Sequence, residues 1–339
     1  MPVLKRMMYC VQIVVLAGCT SVNLFMDGAE VVVASAAGEV PASTSRIELP
    51  EEDRMGVYGM YAGEEGLLLA HLERSWHFTW IPEDGSEAVP LIHSGRGPGE
   101  LRDARIVSLW ESGGRQLLSA SDINAARMLT VDVGTSMADH ITAVVADRDI
   151  PRNCIKVFDL GGGRLLCKQL RGEDGICYRL VDADGAEQAK YPIYGKGDYA
   201  SDYTFFASED CLKPDGTKLA VCMRSLDKIH ILDLAGGDHH TIVTERKYKR
   251  QNDMKEFETV DRMNPREWLL AHYYWCACTD EYIYALHAPG DEIRVFDWAG
   301  SQFRTLKLDM LLNFLSVSPD GSTLYGVTQD EDLVKIALN

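Results

Sequence analysis

The residues able to hold a ligand are spread along the chain in short polar stretches between apolar runs. Asp122, Asn124, Asp227 and Asp291 each fall in such a stretch. Carboxylate and amide oxygens of this kind are what Ca2+ gathers, about six to eight at a time. No compact Asp-x-Asp-x-Asp-Gly loop collects them, so separate segments would have to assemble a Ca2+ site. A second group joins cations, acids and glycines: Arg96 and Glu100 within His93–Leu101, then Tyr194-Gly-Lys196-Gly-Asp198-Tyr199. Glycine there lets backbone N–H groups approach a ligand, and Arg96 suits a carboxylate or sulfate. The plainer role for such Asp and Gly is that tight turns require them. On a strand, His272, Cys276 and Cys278 share one face, an arrangement open to a soft metal. Their spacing matches no standard zinc pattern, and core packing is the expected role. No Gly-x-Ser-x-Gly frame surrounds Ser94 or Ser208, so no catalytic residue is assigned. Gly95-x-Gly97-x-Gly99 lacks the helix that a dinucleotide loop needs.

The chain has 339 residues, 25% charged, and 51 acids against 34 Lys and Arg give a net charge of −17. Such a surface repels nucleic acid and anionic lipid, and neither is expected as a partner. The N-terminus has its own logic. Lys5 and Arg6 precede the apolar run Met7–Leu16, too short to span a bilayer, which ends in Leu16-Ala17-Gly18-Cys19. This order resembles the lipobox of bacterial lipoproteins, which implies cleavage after residue 18 and acylation of Cys19. Stable anchoring takes two or more acyl chains. Thr20 follows in place of an inner-membrane retention Asp, and no acidic run follows either. The expectation is an outer-membrane anchor facing the periplasm. Residues 19–43, rich in Ala, Ser, Val and Gly, read as a tether spanning roughly 25–30 Å, within which Val31-Val32-Val33 could pair. Beyond Cys10 and Cys19 an odd number of cysteines remains, and these cannot all pair.

The elements that must position these residues repeat. Cys211–Cys222 with Lys228–Leu234 parallels Val317–Val327 with Leu333–Leu338. Each reads strand, Pro-Asp-Gly turn, strand, short turn, strand. Pro presets φ and Gly accepts positive φ, so both are tight hairpins. Looser copies put third strands near residues 77, 125, 176, 228, 293 and 333. Propeller blades repeat at about 40–50 residues. The expectation over 44–339 is therefore an all-β, six-bladed propeller of four-stranded antiparallel blades. The last repeat runs out after three strands, so Ser45–Leu49 is expected to supply its fourth and close the ring.

The two Pro-Asp-Gly blades resemble TolB-like propellers. His93-Ser-Gly95-Arg96-Gly97-Pro98-Gly99-Glu100-Leu101, leading into Ile106–Leu109, resembles the glycine-rich interblade loop of NHL-type propellers. That string downstream of a lipobox is similar to the six-bladed propeller lipoproteins of Bacteroides-type bacteria. The resemblance implies this fold and an envelope location, and no reaction. In such a fold the interblade loops and second-to-third-strand turns share one face. That face would carry Arg96, Glu100, Tyr194, Lys196, Asp198 and Tyr199, overhung by an insertion at 246–272, with Trp110, Trp268 and Tyr203 as further aromatics. The function expected is a monomeric, lipid-anchored module that binds a protein or glycan, without a resident cofactor. The alternative is a Ca2+-dependent propeller hydrolase or lactonase.

Overall fold

The structure is a computed structural model that describes residues 29–72, 74–169, 177–193, 207–236, 239–244 and 272–338. Its strands form six sheets, each built on four antiparallel strands that follow in chain order in five of the six. Blade 1 is Val57–Ala62, Gly66–His71, Trp76–Pro82 and Val89–His93. Blade 2 is Arg105–Glu111, Gln116–Asp122, Arg127–Asp132 and Val144–Asp149. Blade 3 is Cys154–Asp159, Leu165–Gln169, Cys177–Val181 and Glu187–Pro192. Blade 4 is Ser208–Leu212, Lys218–Met223, Ile229–Asp233 and His240–Val243. Blade 5 is Tyr273–Cys278, Tyr282–His287, Glu292–Asp297 and Gln302–Lys307. Blade 6 is Leu312–Val317, Thr323–Thr328 and Leu333–Ala337, completed by Thr44–Arg46. The molecule is a six-bladed β-propeller, with the first strand of each blade on the axis.

The Pro-Asp-Gly hairpins form for a local reason. Gly216 and Gly321 both take φ of 71°, and each preceding aspartate bonds back to the turn. Asp215 Oδ1 accepts from the Thr217 N–H at 2.8 Å, and Asp320 Oδ1 from the Ser322 N–H at 3.0 Å. The turn chemistry thus sets the register of the flanking strands. Between blades, apolar faces interlock. Phe314 of blade 6 lies 5.0 Å from Tyr61 and 4.5 Å from Trp275, ring to ring. Gly59 makes room for it, since a Cβ there would stand 2.9 Å from the Phe314 ring.

Thr44–Arg46 pairs antiparallel with Val334–Ile336, and the Ile47 N–H extends the ladder to the Leu333 carbonyl at 2.8 Å. The ring closes with an N-terminal strand, as expected, but the strand is Thr44–Arg46 and not Ser45–Leu49. Upstream, the structure corrects the expectation of a tether. Glu30–Val33 lies parallel to His240–Val243 as a fifth strand on blade 4. Ser35–Pro41 does the same on Gln302–Lys307 of blade 5. Residues 30–46 are therefore a belt around the outside of three consecutive blades. Every residue of Ser35–Pro41 is exposed, so backbone hydrogen bonds hold this stretch in place of buried side chains. That explains why its composition reads as a tether: small residues suit a free linker and a solvated edge strand equally. Among the described residues no helix is long and apolar enough to cross a membrane.

Candidate functional site

Each first strand starts at the face where interblade loops arrive, and that face carries the glycine-rich loop. Gly97 N–H donates to Glu100 Oε2 at 2.8 Å, and Gly95 N–H donates to the Leu101 carbonyl at 3.0 Å. The Glu100 carboxylate is folded inside its own loop: a Cβ on Gly95 would fall 2.0 Å from Oε2. Gly95 and Gly97 are glycine to admit that carboxylate. The outer tie comes from Arg127, whose Nη1 donates to the Glu100 carbonyl at 3.0 Å while its other nitrogens grip Asp147 at 2.8 and 2.6 Å. Arg96 is exposed and forms no ion pair with a described residue. An arginine in this loop can brace it to its neighbour as a strut or face a ligand, and Arg127 performs the strut role.

The acids considered for Ca2+ have separate tasks. Asp122 is 1% exposed and accepts from the backbone N–H groups of Arg102, Asp103 and Ala125, which fastens the glycine-rich loop to blade 2. Asn124 is exposed in the same turn. Asp291 lies on blade 5, 3.8 Å from Lys307 Nζ. Asp227 accepts from Thr244 N–H at 3.0 Å, from the Thr244 hydroxyl at 2.5 Å and from the Tyr273 hydroxyl at 2.8 Å. Arg294 Nη1 reaches the same two hydroxyl oxygens at 3.3 and 3.2 Å. Burial works to raise the Asp227 carboxyl, but the bonds from Thr244 and Tyr273 hold it below its ordinary range. Thr244 is the last described residue before the long insertion and Tyr273 begins the strand after it, so Asp227 and Arg294 clasp both ends of its stem. Among the described residues, no three His, Cys, Asp or Glu side chains are arranged to hold a metal ion.

Tyr194, Lys196, Asp198, Tyr199, Tyr203, Trp268 and residues 246–271 of the insertion lie outside the described residues, as does Cys19. His272 at the insertion's end is described.

The densest polar constellation surrounds the axis on this face, and the sequence did not single it out. Blade 1 contributes Tyr58 and Tyr61, blade 2 Arg105, blade 3 Lys156 and Lys168, and blade 4 Ser208, Glu209, Asp210 and Arg224. Arg105 lies 5.7 Å over the Tyr58 ring and 3.1 Å from Asp103. Lys168 Nζ donates to Asp210 Oδ2 at 2.9 Å and to Ser208 Oγ at 2.7 Å, and Ser208 in turn donates to Asp210 Oδ1 at 2.7 Å. Lys156 Nζ donates to the Asp210 carbonyl at 2.9 Å and stands 3.9 Å from Glu209, which also receives Arg224. Burial pushes the Asp210 carboxyl upward, yet Lys168 and Lys156 outweigh it and hold the carboxyl low. Burial raises the Tyr61 phenol well above its usual value, and Glu209 and Arg105 both act on it from other blades. The result is a fixed ring of donors and acceptors beside two tyrosines. Each partner holds another in place, so little ordering remains to be done on binding. No sequence periodicity marks this group, because its members meet only when four first strands converge. Ser208 is no activated nucleophile here: its proton goes to an ion-paired carboxylate.

No family model matches the chain, and no curated protein matches it. Solved structures do. A putative exported protein of Bacteroides fragilis aligns over 91% of this chain and 99% of its own, with a TM-score of 0.57 and 11% identity. A member of the DUF4221 family from Bacteroides vulgatus aligns over 88% and 97%, with a TM-score of 0.54 and 11% identity. A catalytically inactive virginiamycin B lyase from Staphylococcus aureus, solved with quinupristin, aligns over 88% and 100%, with a TM-score of 0.51 and 11% identity. At such identity the likeness is one of fold. The chain is a six-bladed β-propeller, similar in fold to exported-protein and DUF4221 propellers of Bacteroides.

Proposed function

We propose that this propeller is a lipid-anchored binding module of the bacterial envelope, and that its ligand enters the axial mouth lined by Tyr58, Tyr61, Arg105, Lys156, Glu209 and Arg224. The observation that carries this reading is the convergence of those side chains from four blades, with Lys156 and Arg224 already paired to Glu209 and Arg105 to Asp103. Mutually paired charges cost little to leave in place and still present both donors and acceptors. Beside aromatic rings, that suits a polyhydroxylated ligand better than a bare ion, so a glycan fits best and a protein segment second. Arg96 stands on the same face and extends the surface outward. The fold likeness to exported Bacteroides propellers supports an extracytoplasmic location, and the lipobox supports acylation of Cys19 in the outer membrane, facing the periplasm.

Titration of the purified propeller against a panel of acidic and neutral oligosaccharides tests the ligand class. Tyr58→Ala and Arg105→Ala are expected to weaken binding by about tenfold or more, equivalent to ~1.4 kcal/mol, with thermal midpoints near wild type. If no oligosaccharide binds while a protein co-purifies from the envelope, the glycan reading gives way to the protein one. For the anchor, Cys19→Ser should leave the detergent phase. Equal partition of mutant and wild type would remove the lipoprotein reading.

A further inference from the structure

The described cysteines are all free thiols, and four of them meet between blades 4 and 5. Cys211 and Cys222 lie on one face of blade 4, because Cys211 pairs across the ladder with Ala220 and Cys222 is two residues further on. Cys276 and Cys278 lie on one face of the first strand of blade 5. The two faces pack together: Cys211, Cys222 and Cys276 belong to one buried cluster, and Cys278 lies against it. Across this seam Cys276 packs with Cys211 and Cys222, and the Cys278 sulfur sits beside the backbone of Leu212, the residue after Cys211. The four thiols form a ladder from the partly exposed Cys278 to the fully buried Cys222. The Cys278 thiol is fixed at its outer end by donating to the Leu212 carbonyl at 3.1 Å. Being strung out and not gathered round a point, the four suit pairwise chemistry better than a metal.

We propose that Cys278 and Cys211 form a disulfide by exchange with a disulfide reagent, clamping blade 4 to blade 5 beside the axis. Cys278 reacts first, being the accessible thiol. Its thiolate attacks R–S–S–R, giving Cys278–S–S–R and one R–S⁻, which takes up the proton that Cys278 released. Cys211 then loses its proton, attacks the Cys278 sulfur and expels the second R–S⁻, which takes up that proton. Two thiols lose two electrons and two protons, and one R–S–S–R becomes two R–SH. The second step is favoured because the attacking sulfur is held in the same packed cluster. Cys276 draws the Cys211 thiol down, but its contact with Cys278 and its burial outweigh this and leave it well above the ordinary value. Closure therefore quickens as pH rises. This inference goes beyond the binding reading and does not depend on it.

The test uses reduced, purified protein incubated with oxidised glutathione near pH 8.5, then peptide mapping without reductant. The expected product is a Cys211–Cys278 link located by fragment ions, with Cys222 still a thiol and a thermal midpoint raised by about 5 °C. In Cys278→Ser, Cys211 should stay reduced under the same treatment. A glutathione adduct that persists on Cys278, a Cys211 linked to another residue, or equal loss of the Cys211 thiol in Cys278→Ser would each overturn the proposal. Should the variant fail to fold, the wild-type map decides alone.

Discussion

His71 shows how one side chain ties stability to pH. It is 3% exposed, with Nε2 2.8 Å from the Thr79 hydroxyl and Nδ1 3.3 Å from the Met55 carbonyl. Trp76 Nε1 donates to the same hydroxyl at 3.0 Å, so Thr79 gives its own proton to Nε2 and the ring is neutral with its proton on Nδ1. Burial, reinforced by Arg74, lowers its pKa from 6.5 to about 4. His287 is likewise lowered to about 4, and His230 to about 3, both chiefly by burial. The unfolded chain therefore binds more protons than the folded one from pH 6.5 downward, and stability falls as pH falls through that window. Each histidine contributes about 1.4 kcal/mol per pH unit there. Urea midpoints near pH 7 and pH 5 should show the loss, and His71→Gln should reduce the pH 7-to-5 difference by about 2 kcal/mol. An unchanged difference would mean His71 titrates normally. At the same scale, Arg127→Ala should lower the melting temperature by several degrees, because the Glu100 and Gly97 carbonyls and Asp147 lose their donor. Arg96→Ala should leave the melt unchanged, and a substantial drop would return it to the strut role. Arg96 and Glu100 were visible in the sequence as a glycine-rich loop, but their division of labour was not. Arg127 opens an ordinary strand, and nothing local marks it as the residue that ties that loop down.

At the scale of elements, hairpins were readable and edges were not. Pro214-Asp215-Gly216 and Pro319-Asp320-Gly321 encode their turns chemically, and the third strands observed at Trp76, Arg127, Cys177, Ile229, Glu292 and Leu333 begin within two residues of their expected starts. Val31-Val32-Val33 was marked as able to pair, but the fifth strand on blade 5 escaped notice because exposed Ser35–Pro41 has no apolar alternation to betray it. Its contribution can be measured. A variant starting at Ala42 keeps Thr44–Arg46 but loses the parallel pairs, and with them buried Ala34. At a net ~0.5 kcal/mol for each solvated backbone bond, the loss is a few kcal/mol and several degrees of melting temperature. A midpoint equal to that of the full chain would show the belt to be a passive attachment.

For the whole molecule, closure matters more than any one blade. Val57, Met60 and Leu69 of blade 1 share a buried cluster with Phe314, Val327 and Leu333 of blade 6. Thr44–Arg46 covers the edge beside it. Deleting residues 30–47 should expose that edge and broaden unfolding, with blades 6 and 1 separating before the rest. A single sharp transition, unshifted from that of the Ala42 variant, would show that blades 6 and 1 hold without a strand to join them.

The belt also sets a timetable. The Ser45 hydroxyl bonds to the Lys335 carbonyl across 290 residues of chain, and Glu30 waits for His240. Contacts so distant in sequence are slow to form, since loop-closure entropy must be met before they reward it. The early strands Glu30–Val33 and Thr44–Arg46 are thus locked in only by strands made much later. A nascent chain cannot complete its ring before Leu333–Ala337 has been made. The arrangement keeps the ring open during synthesis and delays its closure until that strand is available.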